Sequence, residues 1–124
     1  FLGIMELVED KNKHNFDIKK YADKTIFLSH KNYNEPIVFY KDKISAFSIP
    51  HPKSIMIKDL SNYIKSVSLI LIGTGEKNII LNQELINDMQ KINKGLEFMN
   101  TESACKTHNL LLSEKRSFVS ILYP

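Results

Sequence analysis

The 124-residue sequence predicts one α/β domain in three layers (β/β/α), with N-terminal antiparallel strands followed by a parallel βαβαβ segment. Three observations carry that reading. Leu69-Ile70-Leu71-Ile72 is an apolar run without alternation, closed abruptly by Gly73-Thr74-Gly75, as in a strand buried on both faces. Two stretches of helical periodicity follow, each opened by a capping residue and each leading into another apolar run. Before residue 50 the apolar runs are short, β-branched or aromatic, and separated by turn residues.

The elements follow in order. Residues 5–8 read as a short strand and 9–15 as a polar turn. Ile18 and Tyr21 open a pattern that runs through a strand at 25–29. Asn32 and Asn34 supply turn chemistry, and Pro36 opens a strand at 37–40, where its missing N–H does least harm. These two strands are expected to form an antiparallel hairpin. Ile44, Phe47 and Ile49 alternate as a third strand before Pro50-His51-Pro52 ends regular structure. Asp59 is read as the cap of a short helix carrying Leu60, Tyr63, Ile64 and Val67.

After the central strand, Asn82 caps a helix over 83–94, with Leu85, Ile86, Met89 and Ile92 on its apolar face. Glu84 at its start and Lys91 and Lys94 at its end match the helix dipole, and Gly95 is the expected left-handed stop. A parallel strand at 96–99, a helix at 102–115 capped by Asn100 or Thr101, and a last strand at 118–122 complete the chain. Strand–helix–strand connections are nearly always right-handed. The loop after residue 72 and the helix start near Thr101 therefore share the carboxyl edge of the sheet, where open α/β sheets bind ligands.

Composition narrows the function. The formal net charge is +3, and no compact Lys/Arg run with interleaved aromatics points to nucleic acid. The lysines at 11, 13, 19, 20 and 24 read as a solvated face, and Phe39, Tyr40 and Phe47 as packing residues. One cysteine excludes an internal disulfide and suits a reducing, cytoplasmic setting. The four histidines, at 14, 30, 51 and 108, lack metal-ligand spacing, so neither metal nor cofactor is expected. No apolar stretch approaches the length needed to span a bilayer. The domain is taken as 5–124, with residues 1–4 an upstream extension or expression remnant.

Leu71-Ile72-Gly73-Thr74-Gly75, with Asn100-Thr101-Glu102-Ser103-Ala104-Cys105-Lys106-Thr107-His108-Asn109-Leu110-Leu111 some 25 residues on, resembles the Mth-type domain family of unknown function. Eukaryotic relatives in that family include a mitochondrial respiratory complex I assembly factor and the adipogenesis-associated Mth-type domain protein. The resemblance covers most of 18–122 and implies a three-layer β/β/α domain without a demonstrated activity. Relatives usually carry small residues where this chain has Glu102 and Ser103, an aromatic residue at the place of His108, and often a Trp within 44–47. A position that exchanges an aromatic ring for His108 suits ring shape better than general-base chemistry.

Two functions from different classes follow. The leading one is a non-catalytic protein-interaction or assembly-factor module, with protein partners that include respiratory-complex components and with self-association open. The other is a small-ligand or anion-binding protein, or an enzyme, using a crevice lined by Gly73, Thr74, Gly75, Thr101, Ser103, Cys105, His108 and Asn109. Gly73-Thr74-Gly75 would offer backbone N–H groups to an anion, although the same triplet is also an ordinary tight turn. Cys105 and His108 at i,i+3 would form a nucleophile or redox pair near a helix N-terminus, against the plainer reading of a packed core thiol. Glu102, with His108 or His51, would supply acid–base chemistry, or simply complement the helix dipole.

Overall fold

The structure, a computed structural model, describes residues 16–124. The strand expected at 5–8 and the turn at 9–15 lie outside the described residues. Strands β1 (Lys20–Ala22) and β2 (Thr25–Phe27) form a hairpin. Its two turn residues, Asp23 and Lys24, have φ of 52° and 55°, the left-handed pair whose twist suits a two-residue connection. β3 (Asn32–Tyr33) pairs with the other side of β2, giving a three-stranded sheet.

Five further strands make the second sheet: β4 (Ile37–Tyr40), β5 (Lys43–Ala46), β6 (Leu69–Thr74), β7 (Gly95–Met99) and β8 (Phe118–Tyr123). Their order is β5-β4-β8-β6-β7. β6 is parallel to β7 and β8, whereas β4 is antiparallel to β5 and β8. The parallel βαβαβ segment is therefore β6, helix α1 (Gln83–Lys91), β7, helix α2 (Thr101–Ser113) and β8.

Several sequence expectations are corrected. The strands at 25–29 and 37–40 do not form a hairpin, because β2 and β4 lie in different sheets. The intervening chain folds back first, with Leu28 N–H donating to the Lys31 carbonyl at 3.0 Å, and β3 takes the free side of β2. The Asp59 helix is instead a 3-10 turn, Ile57–Leu60, followed by irregular turns. Asp59 Oδ2 accepts the Met56 N–H at 2.8 Å, so the turn starts before Asp59 and the apolar residues Ile57, Leu60 and Tyr63 recur every three residues, the 3-10 period.

Helix α1 stops at Lys91, and Asn93 (φ 58°), not Gly95, takes the left-handed position. Asn93 N–H reaches the Gln90 carbonyl and Lys94 N–H the Met89 carbonyl, a Schellman end that frees Gly95 to open β7. Helix α2 closes in the same way two residues earlier than expected. Lys115 (φ 56°) bonds to Leu112, and Arg116 to Leu111.

Alternate residues of β6 feed two cores. Ile70 and Ile72 join Val119, Ile121, Leu85 and Met89 beneath α1. Leu69 and Leu71 join Phe39, Leu122, Ala104 and Leu111 beneath α2, together with Ile18 and Ile26 of the small sheet. Each Val, Ile, Leu, Met or Phe side chain among them contributes about 1.5–3 kcal/mol on burial. The large sheet is thus the middle layer, and α2 shares an outer layer with the small sheet. The reason is topological. The β6–β7 connection runs one way along the sheet and the β7–β8 connection runs back over β6, so crossovers of one hand put α1 and α2 on opposite faces. The carboxyl ends of β6 and β7 become the point where the winding reverses.

Candidate functional site

Two segments meet at that point. Thr101 N–H donates to the Gly75 carbonyl at 2.8 Å, and Gly75 N–H donates to Thr101 Oγ1 at 2.8 Å. The Thr101 hydroxyl proton goes to the Tyr123 carbonyl at 2.5 Å. Gly75 sits at φ 93°, a conformation open chiefly to glycine. Gly73 has no room for a side chain: a Cβ there would lie 2.9 Å from Leu122 Cδ2, 2.9 Å from Thr101 Oγ1 and 3.0 Å from Ala104 Cβ. Thr74 donates to the Lys77 carbonyl at 2.6 Å, with the Met99 carbonyl a second acceptor at 3.2 Å. The seam is closed by the chain's own hydrogen bonds.

The donors at the start of α2 are engaged too. Asn100 Oδ1 caps the helix by accepting Ser103 N–H at 2.9 Å, and Asn100 N–H donates to Asn78 Oδ1 at 3.0 Å. With the Thr101 amide on Gly75, few helix-end N–H groups remain for an anion. The exposed part of the seam is its edge: Glu76, Lys77, Glu102, Ser103 and Lys106.

Cys105 is the fifth residue of α2, one turn in from the helix start, so the dipole acts on it only weakly. Its thiol is buried, and burial, reinforced by the charge of Glu102, pushes its pKa up to about 12. It is a protonated core thiol at neutral pH. Asn109, one turn on, clamps the chain before β1. Its Oδ1 accepts Ile18 N–H and its Nδ2 donates to the Ile18 carbonyl, both at 2.8 Å. Cys105 and Asn109 line a shallow cavity of about 260 Å³ with Lys19, Lys20, Tyr21 and Lys106. The Tyr21 hydroxyl is buried and has no hydrogen-bond partner among the described residues.

His108 points elsewhere. Its ring lies between Phe39 and Phe118, with centroids 4.4 and 5.5 Å away. Nε2 is 3.0 Å from the Phe16 carbonyl, which can only accept, so Nε2 carries the proton and Nδ1 accepts from Ser120 Oγ at 2.8 Å. Burial lowers its pKa to about 4, against the opposing pull of the Phe16 carbonyl and Asp17. His108 and Ser120 are fully buried, a satisfied polar pair inside an aromatic core. No group of His, Cys, Asp and Glu among the described residues is placed to hold a metal ion.

Of the eight residues assigned to the crevice, the fold joins Gly73, Thr74, Gly75 and Thr101 in the seam and leaves Ser103 on its edge. Cys105 and Asn109 face β1, and His108 faces β4 and β8. Sequence reasoning missed Tyr123, Asn78, Phe16 and Ser120. Only Ser120 left a signal, a hydroxyl in step with Phe118 and Leu122 on a strand whose neighbours are apolar.

Residues 18–123 match the family described as "Protein of unknown function (DUF498/DUF598)", and the chain belongs to it. The "13 kDa major membrane protein" of Francisella tularensis subsp. holarctica (strain LVS) is 33% identical over 96% of this chain and 99% of its own length. The "NADH dehydrogenase [ubiquinone] 1 alpha subcomplex assembly factor 3" of Danio rerio is 24% identical over 86% of this chain, which spans 63% of that protein. Among solved structures, a Bordetella parapertussis protein aligns with a TM-score of 0.76 at 24% identity, covering 86% of this chain and 93% of its own. A Bordetella pertussis protein described as a Mth938-like domain gives 0.71 at 19% identity, covering 90% and 87%. These structures show the shared fold. No helix among the described residues is long and apolar enough to cross a membrane.

Proposed function

We propose that this member of the family is a non-catalytic protein-contact module that assists the assembly of a larger complex. One observation carries the reading: the polar groups gathered at the carboxyl ends of β6 and β7 bond to one another, Thr101 to Gly75 and Tyr123 above all. Cys105 is protonated and His108 is locked, so neither supplies a nucleophile or a base. The assembly-factor relatives give the proposal its direction, toward components of a respiratory NADH dehydrogenase. The contact face in this reading is the exposed edge of the seam around Glu76, Glu102, Ser103 and Lys106.

Affinity capture from the source cells tests this, comparing wild type with Glu102→Arg/Ser103→Arg. Enrichment of NADH dehydrogenase components by wild type, reduced by the double variant, supports the reading. Enrichment of ribosomal proteins alone contradicts it. A cytoplasmic location belongs to the same proposal; protein that stays with membranes after a salt wash would count against that location.

A second reading has its own observation. The unpartnered Tyr21 hydroxyl, with Lys19, Lys20 and Lys106 outnumbering Glu102 among the lining residues, suits a small anion beside Cys105. Thermal stabilisation by phosphate or sulfate, lost in Tyr21→Phe, would favour it.

A further inference from the structure

At the opposite end of the parallel strands from the seam lies a cavity of about 340 Å³. Phe16, Phe39, Tyr40, Val67, Leu112 and Phe118 give it apolar walls, with His108 among them. Its charged lining residues among those described, Lys41 and Arg116, are both cations. Both are exposed at the mouth. Lys41 stands in the β4–β5 turn at φ 55°, its ammonium 5.3 Å from the Tyr40 ring centroid. Arg116 leaves the end of α2 with its backbone fixed on the Leu111 carbonyl at 3.2 Å. Its guanidinium meets Glu114 only at 4.0 Å, with both side chains about half exposed (53% and 48%), a contact of little strength.

His108 adds no charge, since both ring nitrogens are engaged and burial keeps it neutral. The cavity therefore combines an apolar interior with two cations at its mouth, beyond which Asp17 and Asp42 share the adjoining surface hollow, and its volume is in the range of small-molecule sites. Inorganic phosphate would leave the walls uncovered, and a neutral hydrocarbon would leave the cations unmatched. We propose that this cavity binds a small amphipathic carboxylate of the medium-chain fatty-acid class. The apolar tail lies among Phe39, Val67, Leu112 and Phe118, and the carboxylate is held by Lys41 and the forked guanidinium of Arg116.

An amide NMR titration of the full chain with sodium octanoate tests this, with octanol and inorganic phosphate as comparisons. Octanoate should give saturable shifts centred on Tyr40, Lys41, Val67, Arg116 and Phe118. Octanol should bind at least about tenfold more weakly, as should octanoate to Lys41→Gln/Arg116→Gln, because charge-assisted contacts are lost. Phosphate should leave these amides unmoved. Absent or displaced octanoate shifts, or octanol binding as tightly as octanoate, would overturn the proposal. The octanol comparison uses the unaltered protein, so it decides the matter even if the double variant folds poorly.

Discussion

The Thr101 hydroxyl and the Gly75 amide lie 2.8 Å apart, and the same hydroxyl donates to Tyr123. One side chain thus ties the ends of β6 and β8 to the start of α2. Thr101→Val keeps the shape and removes both bonds, leaving a buried N–H and C=O unpaired. The expected loss is about 1–3 kcal/mol, a fall of roughly 4–12 °C in thermal midpoint. Thr101→Ser keeps the hydroxyl and should lose about 1 kcal/mol through its missing methyl. Urea unfolding of the two variants checks the ordering.

Gly73→Ala should also destabilise, by about 1–3 kcal/mol, because the added methyl meets Leu122, Thr101 and Ala104 at 3.0 Å or less. A melting curve matching wild type would show that the seam has slack.

His108 predicts a pH dependence of stability. Its folded pKa, about 4, lies below its ordinary value of 6.5. Between those values the unfolded chain binds a proton that the folded chain refuses, so stability falls as pH drops from about 6.5 to about 4 and levels off below. The loss is on the order of 3 kcal/mol. Urea midpoints across that range should slope in wild type and lose this component in His108→Gln. Nitrogen NMR should find the native ring neutral, with the proton on Nε2.

Cys105 should resist alkylation. Raising the thiol from its ordinary 9.0 to about 12 cuts the thiolate fraction near pH 8 by about three orders of magnitude, and the more basic sulfur recovers part of that in nucleophilicity. Iodoacetamide should label the native protein about a hundredfold more slowly than the urea-unfolded chain. Comparable rates would mean an accessible, activated thiol.

Asn109→Ala removes both bonds to Ile18. The expected cost is about 1–2 kcal/mol, with faster amide exchange confined to β1 and β2. Uniform exchange across both sheets would place the clamp in the main folding unit.

Much of the fold was legible because its cues are local. The unalternating run at 69–72 marked a strand buried on both faces, Asn82 and Asn100 marked helix starts, and the parallel pairing of β6 with β7 followed. Partner choice was not legible: β2 and β4 each carry hairpin signals, and only the backward fold at Leu28–Lys31 separates them. Left-handed positions filled by Asp23, Lys24, Lys41, Asn93 and Lys115 hid turns that glycine would have announced. The meeting of Gly75 with Thr101 followed from strand order. That it would be closed did not, since closure depends on the Thr101 rotamer and on Tyr123 arriving from the far end of the chain.

The most direct measurement follows the amides of Gly73, Gly75, Thr101 and Ser103 by NMR while phosphate, sulfate and small carboxylates are added to the native protein. A seam closed on itself predicts no saturable shift at these four positions. A saturable shift centred on them would show an open ligand site where Thr101 and Gly75 are now bonded, and would contradict the contact-module reading.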